Sequence, residues 1–211
     1  MTIRAFTFNP FQTNAYVCHH EGEAALIDPS SMTAPEHQQI LAYLDANDLK
    51  LTHLLLTHGH LDHIFGCRFF AEHFGMGWQM HRADLPLIEH APMQAQAYGM
   101  PLDAPPRPTA FLSAEDTLHI GGATWRVLHT PGHSPGSISF FDAEHQLLIA
   151  GDVLFRGSIG RTDLWQGDQG VLMQSIYQTL LPLGDKVTVH PGHGPTTTLG
   201  HEARTNPFLV G

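Results

Sequence analysis

Basic charge is what this chain has least of. Its 211 residues include 10 Lys+Arg against 20 Asp+Glu, and Lys50 and Lys186 are its lysines. Charged residues make up 14%, well below the ~25% of an ordinary soluble domain. With a formal net charge of −10 and no basic stripe, nothing is offered to a phosphate backbone, so nucleic acid is not an expected partner. An anionic membrane surface is disfavoured for the same reason. Two cysteines, Cys18 and Cys67, build no disulfide framework, and neither sits in a C-x-x-C motif. The opening Met1-Thr2-Ile3-Arg4-Ala5-Phe6 has no apolar signal-peptide region. No apolar run approaches the ~18 residues of a membrane span. A cytoplasmic protein with free thiols and no membrane contact is expected.

Histidine is the opposite case, with 17 residues. Position decides whether that bias is chemistry or habit. The chain reads as strands alternating with helices and has no long linker. Alternation predicts strands at 3–9, 14–19 and 24–27, with Glu21-Gly22-Glu23 as a hairpin turn. Helical spacing runs from Pro35 to Asn47, with Thr33 near its start, and a short buried strand is expected at Leu54-Leu55-Leu56. Helices are expected again over 64–74, ending at Gly75, and over 82–98. Four prolines between Gly99 and Pro108 mark a loop. Strands are then expected at 117–120, 124–128, 137–141, 146–149 and 186–189, with an amphipathic helix over 169–181. This order suggests one layered α/β (α+β) domain spanning 1–211, with 82–108 as a candidate lid that Met93, Tyr98 and Met100 could line.

Five segments share one design, in which an apolar strand ends and a polar or glycine turn with His or Asp follows. They are 54–63, 127–133, 148–152, 187–193 and 25–29. Strand ends are where α/β layers place their sites. The first is the richest, with His58, His60, Asp62 and His63 within six residues. Positions 58, 60 and 62 share one parity, and 63 follows from the turn. Such spacing can serve two adjacent cations, and imidazole with carboxylate suits Zn, Mn or Fe.

Thr57 to His63, followed in order by Gly132-His133, Gly151-Asp152 and Gly192-His193, resembles the metallo-β-lactamase superfamily along the whole chain. The stretches 129–136 and 151–155 resemble glyoxalase II-like hydrolases more closely. Residues 157–163 and 190–200 resemble the short, YcbL-like branch. The resemblance implies an αββα four-layer sandwich with metals at the sheet edge. It implies two divalent ions, zinc first, with Fe or Mn as alternatives. His58, His60 and His133 match ligands of one, and Asp62, His63 and His193 those of the other. Asp152 matches the carboxylate bridging both, and Asp28 a supporting residue behind the ligands. The two carboxylates of the set, Asp62 and Asp152, are expected to be catalytic. The implied reaction is cleavage of a small-molecule thioester, such as S-lactoylglutathione, by a metal-bridging hydroxide.

Other residues are weighed against plainer roles. His129 and His190 end their strands and are expected to orient ligands. Arg161 is the candidate for an anionic substrate group, and a salt bridge to Asp163 is its plain alternative. Ser134 and Ser137 are expected to be a helix or turn hydrogen-bonding set, and Cys67 to be core. The ten remaining histidines are read as surface. Only residues 194–211 follow His193, so the helical C-terminal domain of long glyoxalase II is not expected here. Gly194-Pro195 stands where those enzymes carry a tyrosine. Two other readings stay open: a mononuclear-iron persulfide dioxygenase using His58, His133 and Asp152, and a non-catalytic metal-binding protein. β-Lactam cleavage is disfavoured because Asp152 stands where broad-spectrum lactamases carry cysteine.

Overall fold

The computed structural model describes residues 1–210, which fold as two compact units. The first comprises residues 1–112 and 119–123, the second 113–118 and those from 124 on.

The first unit holds a six-stranded sheet whose spatial order is its sequence order: β1 (Thr2–Phe8), β2 (Thr13–His20), β3 (Glu23–Ile27), β4 (Lys50–Leu55), β5 (Gln79–His81) and β6 (Ala110–Leu112). Strands β1 to β3 pair antiparallel. The β2–β3 turn has positive φ at Glu21 and Gly22, the conformation that a two-residue hairpin loop favours. From β3 to β6 the pairing is parallel, so each crossover needs a connecting segment. Helices α1 (Ala34–Ala46), α2 (Cys67–Phe74) and α3 (Leu85–Ala97) lie in those connections. Helix α1 starts where expected. Thr33 precedes it, and Glu36 reaches back to accept the backbone N–H groups of Thr33 at 2.9 Å and Met32 at 2.7 Å, worth about 1 kcal/mol. Helix α2 ends at Gly75, left-handed at φ 59°, where a side chain would be strained.

Ile40, Leu54, Leu56, Ile64, Phe70, Trp78, Met80 and Ala91 form this unit's core. Each large apolar side chain there contributes roughly 1.5–3 kcal/mol by burial. Cys67 is fully buried, as expected. Segment 82–108 is tied down by Trp78 Nε1 donating to the Pro106 carbonyl and Arg68 Nε donating to the Ala104 carbonyl. Met100 packs on the core, whereas Met93 and Tyr98 are exposed.

The second unit supplies most of a six-stranded sheet ordered β14-β13-β10-β9-β8-β7. Its strands are β7 (Thr117–Ile120), β8 (Ala123–His129), β9 (Ile138–Asp142), β10 (Leu147–Gly151), β13 (Thr188–Pro191) and β14 (Thr197–Thr198). Between them lies a small hairpin of β11 (Leu154–Phe155) and β12 (Ser158–Ile159). Helices α4 (Gln169–Gln174) and α5 (Leu199–Thr205) complete it. Leu148, Leu154, Leu172, Ile176, Val189 and Leu199 are core here. The expected helix over 169–181 is not one cylinder. After α4 the backbone widens to a π-helical turn at Ser175–Leu180 and closes as a 3-10 turn at Leu181–Leu183. Pro182, lacking an N–H, does not extend a regular helix.

Histidine corrects one sequence expectation. Of the ten residues read as surface, His19, His20, His37, His53, His81 and His145 are half-buried, each with a hydrogen-bond partner. His19 and His20 find theirs across the fold, at Tyr43 and the Gly121 carbonyl, whereas the other four bond within six residues, so it is burial by distant packing that spacing along the chain does not signal.

Candidate metal centre

In the first unit the chain leaves β4 and is caught at once. Leu56 N–H donates to the Gln79 carbonyl, and the Asp28 carboxylate accepts both Thr57 N–H and Thr57 Oγ1–H at 2.7 Å. Asp28 sits at φ 50°, a left-handed conformation that Asp tolerates better than most residues. Past Thr57 come His58, Gly59 and His60, then a 3-10 turn at Leu61–His63. His58, His60 and His63 are 1%, 8% and 0% exposed. Burying three imidazoles on one loop is costly unless their polar atoms are used. Ring centroids lie 4.7 Å apart for His58 and His60, and 4.1 Å for His58 and His63.

The support behind this loop is specific. His63 Nδ1 lies 3.0 Å from Asp28 Oδ2. With Nδ1–H donating there, Nε2 carries the lone pair, the arrangement usual for a ligating histidine. Asp62 Oδ2 accepts Thr13 Oγ1–H at 2.7 Å, and the Asp62 carbonyl accepts from Asn9 Nδ2 at 3.0 Å. Between the first two histidines, Gly59 N–H donates to the buried Asp84 carboxylate at 2.9 Å. A side chain at Gly59 would press on Asp84 and Leu87.

In the second unit a register shift in the parallel β10–β13 pair follows Ile149. Gly151 then turns at φ 53°, and its carbonyl accepts Gly192 N–H at 2.8 Å. That bond sets Asp152 beside His193. Asp152 Oδ2 lies 3.4 Å from His193 Nε2 and 3.6 Å from His133 Nε2. His133 Nδ1 is 2.8 Å from the Arg161 carbonyl, so its Nε2 also carries the lone pair. Gly160 has no room for a side chain, since an added Cβ would overlap the Asp152 carbonyl.

These distances test the fit to a metal. His63 Nε2 and Asp62 Oδ2 are likewise 3.5 Å apart. All three separations exceed ordinary hydrogen bonds. Two donors each ~2.1 Å from a tetrahedral ion stand ~3.4 Å apart. Within the first unit, ligand atoms of His58 and His60, of His58 and His63, and of Asp62 and His63 lie within 4.8 Å of one another. In each unit, therefore, imidazole and carboxylate donors are spaced as two ligands of one divalent cation would be.

The remaining expected residues are placed as follows. Arg161 forms a bidentate pair with Asp163, both contacts 2.7 Å and both side chains exposed. Hydrogen bonding to that guanidinium lowers the Asp163 carboxyl to about 2. His129 Nε2 lies 3.0 Å from the Pro135 carbonyl, in the turn where Ser134 and Ser137 hydroxyls meet at 2.7 Å as expected. Burial pushes His190 down to about 4. Burial, then the Asp28 charge, push the Cys67 thiol well above its usual range. Asn9, Thr13, Thr57 and Asp84 were not singled out by sequence reasoning. The signal available for Thr57 was adjacency to His58; for the others the partner is 25 to 53 residues away.

The Lactamase_B family, described as the metallo-beta-lactamase superfamily, matches residues 8–193. The chain is 41% identical over 212 residues to the hydroxyacylglutathione hydrolase GloC of Haemophilus influenzae, covering 99% of this chain and 98% of that one. Among solved structures it resembles the BLEG-1 B3 metallo-beta-lactamase, with TM-score 0.91, 37% identity and full coverage of both chains. It also resembles TTHA1623 in a di-iron-bound form, with TM-score 0.87, 42% identity and coverage of 98% and 100%.

Proposed function

The chain belongs to the metallo-β-lactamase superfamily and has its fold as a metal-dependent hydrolase, and from that premise we propose that it hydrolyses a glutathione thioester of the S-lactoylglutathione class. The observation that carries this reading is the triplet of donor pairs, His63–Asp62, His133–Asp152 and His193–Asp152, spaced at 3.4–3.6 Å. The 41% identity to GloC over nearly both whole chains supports the substrate class.

In this reading, which follows the family pattern, His58, His60 and His133 would hold one ion and Asp62, His63 and His193 a second, with the Asp152 carboxylate available to both. Zinc is the proposed metal, with iron or manganese decided by metal analysis. When bound, such a pair supplies a Lewis acid and a water ionised near neutral pH. The chain's own residues do the rest. Asp28 and the Arg161 carbonyl hold protons on the Nδ1 atoms of His63 and His133. Thr13 fixes the Asp62 carboxylate against rotation. Arg161 is proposed to meet an anionic substrate group by exchanging Asp163 for it. A thiolate leaves with little protonation, since thiols ionise near ~8.5. Neither cysteine competes as a nucleophile, both being buried. Free thiols also suit the proposed cytoplasmic setting, and no helix among the described residues is long and apolar enough to cross a membrane.

The test is a substrate panel on protein of measured metal content: S-lactoylglutathione, glutathione persulfide under oxygen, and a β-lactam. Thioester turnover that falls by about 10²-fold or more in Asp152→Asn, as loss of a central electrostatic group requires, is expected. One iron per chain with oxygen uptake and no thioester cleavage would overturn the reading.

A further inference from the structure

Helix α5 lies outside the histidine motifs, yet its side chains reach the segment that shapes them. We propose that Glu202, with Asn206, is a positioning clamp that sets the relative placement of His133, Asp152 and His193. The proposal rests on the assignment of those three as metal ligands.

Glu202 is a fully buried carboxyl, 0% exposed, on a seven-residue helix. Burying it is costly unless its oxygens are all used, and they are. Oε2 accepts Gly157 N–H at 2.8 Å and Asn206 Nδ2–H at 2.8 Å. Oε1 accepts the Thr197 hydroxyl at 2.5 Å. Asn206, also 0% exposed, donates through the same Nδ2 to the Ser158 carbonyl at 3.0 Å. Two side chains thereby hold the β11–β12 turn at Gly157 and at Ser158, where β12 begins.

That hairpin is the link to the ligands. It begins directly after Asp152 and returns at Gly160, whose N–H donates to the Val153 carbonyl at 3.2 Å. Gly160 packs so tightly on the Asp152 carbonyl that a Cβ has no room, and that Cβ would stand 3.3 Å from His133 Cβ. The next residue's carbonyl, that of Arg161, orients the His133 ring. The other arm of the clamp grips Thr197 in β14. That strand pairs with β13 through Val189↔Thr197, and β13 leads into His193. One carboxyl thus joins the hairpin governing Asp152 and His133 to the strands bracketing His193. A helix needing only to cover apolar core would present Leu199 and no buried acid.

The experiment uses the full-length chain, stripped of metal and titrated with Co²⁺. Ligand-field absorption and affinity are read for each bound equivalent, with thermal unfolding alongside. The variants are Glu202→Ala, Glu202→Gln and Thr197→Val. Outer partners of metal ligands are worth ~10–100-fold in affinity, so a loss of about tenfold with altered visible bands is expected in Glu202→Ala. A smaller loss in the same direction is expected in Thr197→Val, which removes one hydroxyl and little else. Glu202→Gln is expected to restore the wild-type spectrum. Its carbonyl can accept from Gly157 and Asn206, and its amide can donate to the Thr197 oxygen. A merely structural role would lower the melting temperature and leave the bands of the folded protein unchanged, and that result overturns the clamp. Should Glu202→Ala not fold, Thr197→Val with a wild-type affinity and spectrum overturns it equally. If the wild-type chain takes up fewer than two equivalents, the ligand assignment falls first and the clamp with it.

Discussion

Asp28 illustrates how much one side chain can decide. Its carboxylate accepts three hydrogen bonds in a fully buried setting, two from Thr57 and one from His63 Nδ1. Asp28→Asn keeps the shape but turns one acceptor into a donor. If the amide faces His63, Nδ1 must accept and Nε2 must carry the proton, so the ring can no longer offer Nε2 to a cation. The expected outcome is a ~10–100-fold loss of affinity for one metal equivalent, with a stability cost of roughly 1.5–3 kcal/mol. Elemental analysis after dialysis, set beside chemical denaturation, separates the two effects. One metal retained and one lost is the predicted pattern; two retained at wild-type affinity would remove Asp28 from the support of the centre. At this scale the cluster of candidate ligands was legible in the sequence because His58, His60, Asp62 and His63 are neighbours in the chain. Asp84, Thr13 and Asn9 were not, because their role appears only when the fold brings distant segments to the same loop.

Among the elements, the least regular ones carry the most consequence for the site. The β11–β12 hairpin consists of two-residue strands, too short to show alternation; β5, β6 and β14 were missed for the same reason, and α5, seven residues long, because it barely completes two helical periods. Long amphipathic segments such as α1 and the β2–β3 hairpin were legible, since period and turn chemistry agree there. Gly160 tests the hairpin directly. Its backbone φ is not in the left-handed region, so the case against a side chain is purely one of space. Gly160→Ala sets a methyl against the Asp152 carbonyl and His133. Backbone cannot yield as a flexible side chain would, so the hairpin must move away and take the Arg161 carbonyl from His133 Nδ1. Metal uptake and thioester turnover are expected to fall together by about tenfold or more, as loss of an outer partner does. Val153 and Ile159, next to Asp152 and Gly160, belong to the second unit's core, so circular dichroism is read beside metal content, and a native spectrum with lost metal is the expected result. An alanine variant with full metal content would show that the hairpin does not govern the ligands.

For the whole molecule, scarce charge and abundant histidine together predict how stability responds to acid. Four histidines have affinities for protons lowered by burial: His19, His37, His53 and, most strongly, His190, pushed down to about 4 from 6.5. The sign follows from proton counting. Below 6.5 the unfolded chain protonates these rings while the folded one holds back, so the unfolded state binds more protons and stability falls as pH falls. For His190 the stabilisation is complete above 6.5 and is lost between 6.5 and about 4. Its full amplitude is at most about 3 kcal/mol, at 1.36 kcal/mol per unit of displacement. Metal release at low pH acts in the same direction, because ligands must be deprotonated to bind, so the measurement belongs on metal-free protein. Denaturant unfolding of the metal-free chain at a series of pH values between 7 and 4 is expected to show stability declining with acidity. His190→Gln removes that ring's share, and its stability should fall less steeply over the same interval, by up to one proton's worth of slope. Parallel curves for the two proteins would mean that His190 takes up its proton equally well folded and unfolded, and the acid response would then belong to the other rings.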